Sequence, residues 1–196
     1  MRLQSVAFLS ILLSVASAHF HLEYPPPRGP FVADAEVNFC DGYANATTNR
    51  TEFPLDGGFI AWRGSHPHWT FGVIVAADEN PTSFDNFTQA VDFFKGETPG
   101  NVCFPVDLSK TNVTGLQDGA NVTLQMVYDA GDGKLFQCAD ITLKANLTIP
   151  SSVSCVNGTT TNTTSPPAPT STSGASQAAV NMVSMAGLVG VVLAML

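Results

Sequence analysis

Charge is scarce in this chain. Only 12% of its 196 residues are Asp, Glu, Lys or Arg, about half the usual share of roughly 25%. Cations are rarer still, with 8 Lys+Arg against 16 Asp+Glu and a formal net charge of −8. So few scattered cations cannot assemble the basic stripe that nucleic-acid binding needs, and that class is excluded. The acidic balance suits a cation ligand instead. No two of the four cysteines stand in a CxxC pair, which argues against zinc and dithiol redox chemistry. Ser65 and His66 adjoin, but there is no G-x-S-x-G elbow and no evident carboxylate pair, so a hydrolase is disfavoured.

The apolar residues are concentrated at the ends. Residues 1–18 read MRLQSVAFLSILLSVASA, one Arg followed by a short apolar run that closes on Ala-Ser-Ala. That is a secretory signal peptide, and its apolar run is too short for the roughly 20 residues of a spanning helix. Cleavage after Ala18 makes His19 the first residue. The far end is apolar and uncharged to Leu196. It lacks the basic flank of a stop-transfer helix. Small residues from Ser171 to Ser176 precede it, which reads as a GPI-attachment signal with Ser173 as the expected attachment residue. Between them, 156–175 is rich in Thr, Ser and Pro and cannot bury a core, as expected of a glycosylated stalk. The reading is therefore signal peptide 1–18, folded domain 19–155, stalk 156–175 and GPI propeptide 176–196.

Sequons occur at Asn45, Asn49, Asn86, Asn112, Asn121, Asn146, Asn157 and Asn162. Eight in a secreted chain point to a heavily glycosylated surface protein. A secretory route also makes two disulfides from Cys40, Cys103, Cys138 and Cys155. Four cysteines allow three pairings, and spacing does not choose among them. Cys40–Cys138 with Cys103–Cys155 is the pairing we expect.

Strand signals dominate the folded part. Residues 69–77 and 121–129 are β-branched and aromatic, the second alternating with Val122, Leu124, Met126 and Tyr128 on one face. With 134–149 it forms a hairpin across an Ala-Gly-Asp-Gly turn. Residues 58–63 and 102–108 are shorter candidates. In 83–96, Phe84, Phe87, Val91 and Phe94 recur at helical spacing, which predicts a loop or short helix with its phenylalanines in the core. Several short strands with Gly/Pro turns make the chain an all-β sandwich.

His19 carries the chemical signal. A histidine at a new N-terminus offers its α-amine and a ring nitrogen to one ion. The amine has a pKa of only about 7.7–8.0, so a metal readily displaces its proton. Amine and imidazole donors in a tetragonal array suit Cu(II). A third nitrogen must come from His21, His66 or His68, the only other histidines.

The N-terminal HFHLEYPPPRGPF, EVNFCDGY (36–43), GSHPHW (64–69) and QCADI (137–141) together resemble a fungal family of secreted, GPI-anchored, copper-binding proteins related to lytic polysaccharide monooxygenases. It includes copper acquisition factors. The resemblance implies an immunoglobulin/fibronectin-like antiparallel β-sandwich with a histidine brace. It makes His19 and His66 the nitrogen ligands of one Cu(II), with His68 the alternative to His66. It makes Asp140 the carboxylate ligand, with Asp132 the alternative. Where the family has two glycines after the first cysteine, this chain has Asp41-Gly42, so that loop is expected to differ.

A carboxylate ligand favours Cu(II) over Cu(I) electrostatically and suits capture better than turnover. The function that follows is copper acquisition or handling at the outer face of the plasma membrane and the cell wall, without monooxygenase activity. The chain would be a monomer that passes copper to a plasma-membrane importer. The alternatives are an oxidative polysaccharide-cleaving enzyme and a metal-free structural glycoprotein of the wall.

Overall fold

The computed structural model describes residues 19–158. The signal peptide, most of the stalk, Asn162, Ser173 and the 176–196 tail lie outside the described residues. Eight strands build two sheets: β1 (Phe20–Tyr24), β2 (Thr51–Pro54), β3 (Gly58–Gly64), β4 (Trp69–Ala76), β5 (Thr88–Gly96), β6 (Gly100–Val106), β7 (Asn121–Asp129) and β8 (Lys134–Lys144). One sheet has the order β1-β3-β6, the other β2-β8-β7-β4-β5. The expected β-sandwich is present, with both disulfides.

Alternation along each strand explains the core. Phe20, Leu22, Ile60 and Trp62 of the smaller sheet meet Phe71, Val73, Leu124, Met126 and Tyr128 of the larger. Trp62 stacks on Phe71 at 4.8 Å, and Phe20 on Tyr128 at 5.1 Å. Stacked aromatic pairs add about 0.5–1.5 kcal/mol each beyond the area they bury. β7 and β8 form the hairpin expected from 121–149, although β8 ends at Lys144.

Two features depart from the sequence reading. Residues 83–96 form a 3-10 turn at Phe84–Asn86 followed by strand β5. β5 pairs with β4 through Phe71↔Phe94 and Val73↔Val91, with register shifts on both sides of Val73. A bulge places Val91 and Phe94, three residues apart, opposite positions two apart, which imitates a helical period. Phe84 is 43% exposed and outside the core. It packs on Phe39 and Phe136 over the outer face of the larger sheet.

The second departure is one parallel pair, β2 with β8, in an otherwise antiparallel sandwich. From Glu36 onward the chain runs along β8 in the same direction. The Glu36 carbonyl accepts from Phe136 N, Cys40 is bonded to Cys138, and Thr47 N donates to Asp140. β2 simply continues that course along the edge of β8.

The disulfides are Cys40–Cys138 and Cys103–Cys155, as expected. The first fixes the 28–50 segment to β8, the second ties the end of the domain to β6. Each contributes about 2–4 kcal/mol. The loop after Cys40 is left-handed, with φ of 50° at Cys40, 56° at Asp41 and 79° at Gly42. A left-handed backbone costs a side-chain-bearing residue roughly 1–2 kcal/mol, which is why glycine suits these positions. Asp41 occupies one of them, buried, with its carboxylate accepting from Val32 N at 3.3 Å.

Candidate metal centre

His19 leads into β1, and its position is fixed through the backbone. Its carbonyl accepts from the Ser65 amide and the Ser65 hydroxyl, each at 3.4 Å. Ser65 follows the last residue of β3, so His66, the next residue in the chain, leaves β3 at the end where β1 begins. Gly64 makes room for this. A Cβ there would lie 2.8 Å from the Trp62 ring and 2.9 Å from Tyr128 Oη.

The other edge of β1 is satisfied by side chains. The Gln137 amide accepts from Leu22 N at 2.9 Å and donates to Phe20 O at 2.6 Å. It also donates to Glu36 Oε1 at 2.8 Å. Glu36 Oε1 accepts from Phe20 N at 3.4 Å, and Oε2 meets His19 Nδ1 at 2.7 Å. Glu36 is fully buried, whereas the His19 ring is 31% exposed. Burial pushes the Glu36 carboxyl above its ordinary value, while the bonds from His19, Gln137 and Phe20 pull it back.

Glu36 is the residue that sequence reasoning missed. It lies in the EVNFCDGY segment, but one carboxylate in an acidic chain carries no local signal. The available clue was the disulfide: Glu36 is four residues before Cys40, and Gln137 immediately precedes Cys138. Closing that bridge brings the two together.

Phe31 packs against both early histidines, with ring centroids 5.6 Å from His19 and 4.0 Å from His21. Burial lowers the His21 pKa, and the charge of Arg63 adds to the effect. Burial pushes the Tyr128 phenol up to about 12. The His66 backbone amide opposes that shift, while the charges of Asp132 and Glu36 reinforce it. His68 is exposed and lines a cleft of about 290 Å³ with Lys95, Glu97 and Asp129.

Asp140 is placed differently. Its Oδ1 accepts from Arg28 Nη2 at 2.9 Å and Thr123 Oγ1 at 2.7 Å. Its Oδ2 accepts from Arg28 Nε at 3.0 Å and Thr47 N at 2.9 Å. A carboxylate has about four lone-pair sites, and here protein donors take all of them. Strand parity gives the reason. Asp140 and Cys138 do share a face of β8, but it is the outer face, under the 28–50 segment. Gln137, which leads to Glu36 and His19, leaves by the opposite face. The structure therefore does not bring Asp140 to His19.

Among the described residues, no three His, Cys, Asp or Glu side chains converge as a metal-holding group. A brace needs fewer, because the α-amine is one of its donors. Imidazole and amine nitrogens, with a carboxylate such as Glu36 close by, are donor types that would fit Cu(II).

Comparison with known proteins places the chain. The model of the BIM1-like copper acquisition factor domain matches residues 17–160. The copper acquisition factor BIM1 of Cryptococcus neoformans var. grubii is 40% identical over 164 residues, covering 79% of this chain and 73% of that protein. The var. neoformans protein of the same name is 38% identical over the same shares. An AA10 lytic polysaccharide monooxygenase from Streptomyces lividans aligns with a TM-score of 0.45 and 12% identity, over 63% of this chain and 99% of that one. With a family model spanning the whole described domain, the chain belongs to the BIM1-like copper acquisition factor family.

Proposed function

We propose that the chain captures one Cu(II) ion at its processed N-terminus and holds it as cargo at the cell surface. The observation that carries this reading is the backbone bond from Ser65 to His19. It ties the residue before His66 to a histidine that, in a chain cut after Ala18, owns both an α-amine and a ring nitrogen, which supports His66 as the second ligand. Family membership supports copper as the ion. The donors in this reading are the His19 amine and Nδ1 and a nitrogen of His66.

Of the two aspartates, the reading takes Asp132, in the turn between β7 and β8, because Asp140 is already neutralised by Arg28. The reading includes a signal peptide, a GPI anchor and N-glycans, resting on the sequence patterns at 1–18 and 171–196 and on the sequons. Six of those sequons, at Asn45, Asn49, Asn86, Asn112, Asn146 and Asn157, are exposed. It also includes a monomer that hands copper to a plasma-membrane importer.

The test is Cu(II) titration of protein beginning at His19, with His66→Ala and His68→Ala. His66→Ala should lose tight binding, and His68→Ala should keep it. Loss in His68→Ala with retention in His66→Ala would refute this ligand set.

A further inference from the structure

We propose that Glu36 is the buried anionic partner of the metal site, and that its charge makes the site prefer Cu(II) to Cu(I). The inference rests on the copper reading above and deepens it.

A fully buried carboxylate is costly unless charge or hydrogen bonds compensate it. Glu36 has three partners: the Phe20 amide, the Gln137 side-chain amide and the His19 ring. Of these, His19 alone can carry a positive charge. The contrast with Asp140 is informative, because that buried carboxylate has a permanent cation in Arg28. Glu36 is held where its counter-charge must come from whatever His19 carries.

The geometry selects one oxygen for that role. Oε1 is occupied by Gln137 and Phe20, and Oε2 is turned to His19 Nδ1 at 2.7 Å. Nδ1 is the ring nitrogen that chelates together with the α-amine. An ion taking that nitrogen meets the carboxylate that now faces it. Glu36 cannot readily withdraw. Its backbone carbonyl is bonded to Phe136 N, its side chain is clamped by Gln137, and Cys40–Cys138 pins the segment four residues on. A fixed, buried negative charge attracts a neighbouring divalent ion about twice as strongly as a monovalent one. The preference for the oxidised ion therefore follows from charge and position, whether the carboxylate touches the metal or stands behind the ring.

Glu36→Gln tests this with little disturbance. The glutamine oxygen can still accept from Gln137 and Phe20, and its amide can donate to a neutral Nδ1. Cu(II) and Cu(I) affinities are measured by competition with chromophoric chelators, on protein beginning at His19. Glu36→Gln should raise the Cu(II) Kd about tenfold and the Cu(I) Kd only about threefold, the square root of that factor. Glu36→Asp, which keeps the charge but withdraws it by one methylene, should fall between wild type and Glu36→Gln in the ratio of the two constants. A structural role alone would shift both constants together. An unchanged ratio in either variant overturns the inference, provided wild type binds copper. Absence of copper binding by wild type would instead overturn the reading beneath it.

Discussion

Asp140→Ala separates a structural carboxylate from a copper ligand. The substitution removes four hydrogen bonds, two of them to a guanidinium that is 2% exposed. Arg28 then keeps Nη1 on Tyr43 O at 2.8 Å and Nη2 on Thr123 at 3.3 Å, with no carboxylate. Breaking a buried ion pair from one side costs about 3–5 kcal/mol. The Thr47 amide and the Thr123 hydroxyl lose acceptors in the same step, so the upper half of that range applies. For a domain of this size 1 kcal/mol corresponds to about 3 °C, which gives a fall in Tm of roughly 12–15 °C. Domains are stable by only about 5–15 kcal/mol, so the variant stays folded at low temperature. Thermal unfolding of metal-free protein measures the loss, and Cu(II) titration of the folded variant at 10 °C measures the site. Unfolding should move by the stated amount while copper affinity stays within a fewfold of wild type. A variant within about 1 kcal/mol of wild type that no longer binds copper would make Asp140 the ligand after all.

Two further substitutions follow from the backbone. Asp41→Gly relieves a left-handed residue with φ of 56° and removes a carboxyl whose pKa is raised, chiefly by burial. A raised carboxyl favours the fold while protonated, and that contribution is lost as pH rises through its folded pKa. The gain from Asp41→Gly should thus be larger at pH 7, about 1 kcal/mol, than at pH 4. Denaturant unfolding at the two pH values checks this, and a gain that shrinks as pH rises would contradict it. Gly64→Ala drives a methyl to 2.8 Å from the Trp62 ring and 2.9 Å from Tyr128 Oη, both in the packed core. It should destabilise by about 1–3 kcal/mol and weaken copper binding, because His66 follows two residues later. A neutral effect on the thermal midpoint would show that the site end of β3 has slack.

Most strands were legible because their signal is local. β3, β4, β6, β7 and β8 carry β-branched or aromatic runs bounded by turns. β5 was misread because the bulges beside Val73 turn a two-residue period into a three-residue one. β2 is four residues long and takes its direction from the preceding segment, information that no window of sequence contains. The disulfide pairing, by contrast, came out as expected.

The candidate site divides along the same line. His19 stood out because processing would expose it, and His66 because its segment resembled a known family. Asp140 rested on the resemblance of the QCADI segment alone, and a short motif does not say which face of the sheet its carboxylate occupies. Glu36 had no local signal at all. Its role depends on a contact with Gln137 across 101 residues of chain.

The central claim is that copper is held by the α-amine and ring of His19 together. Electron paramagnetic resonance of one equivalent of Cu(II) tests it most directly, comparing protein that begins at His19 with protein carrying one extra N-terminal residue. The first should give a single axial, nitrogen-rich signal and tight binding, and the second should lose both. Identical spectra and equal affinity in the two proteins would contradict it.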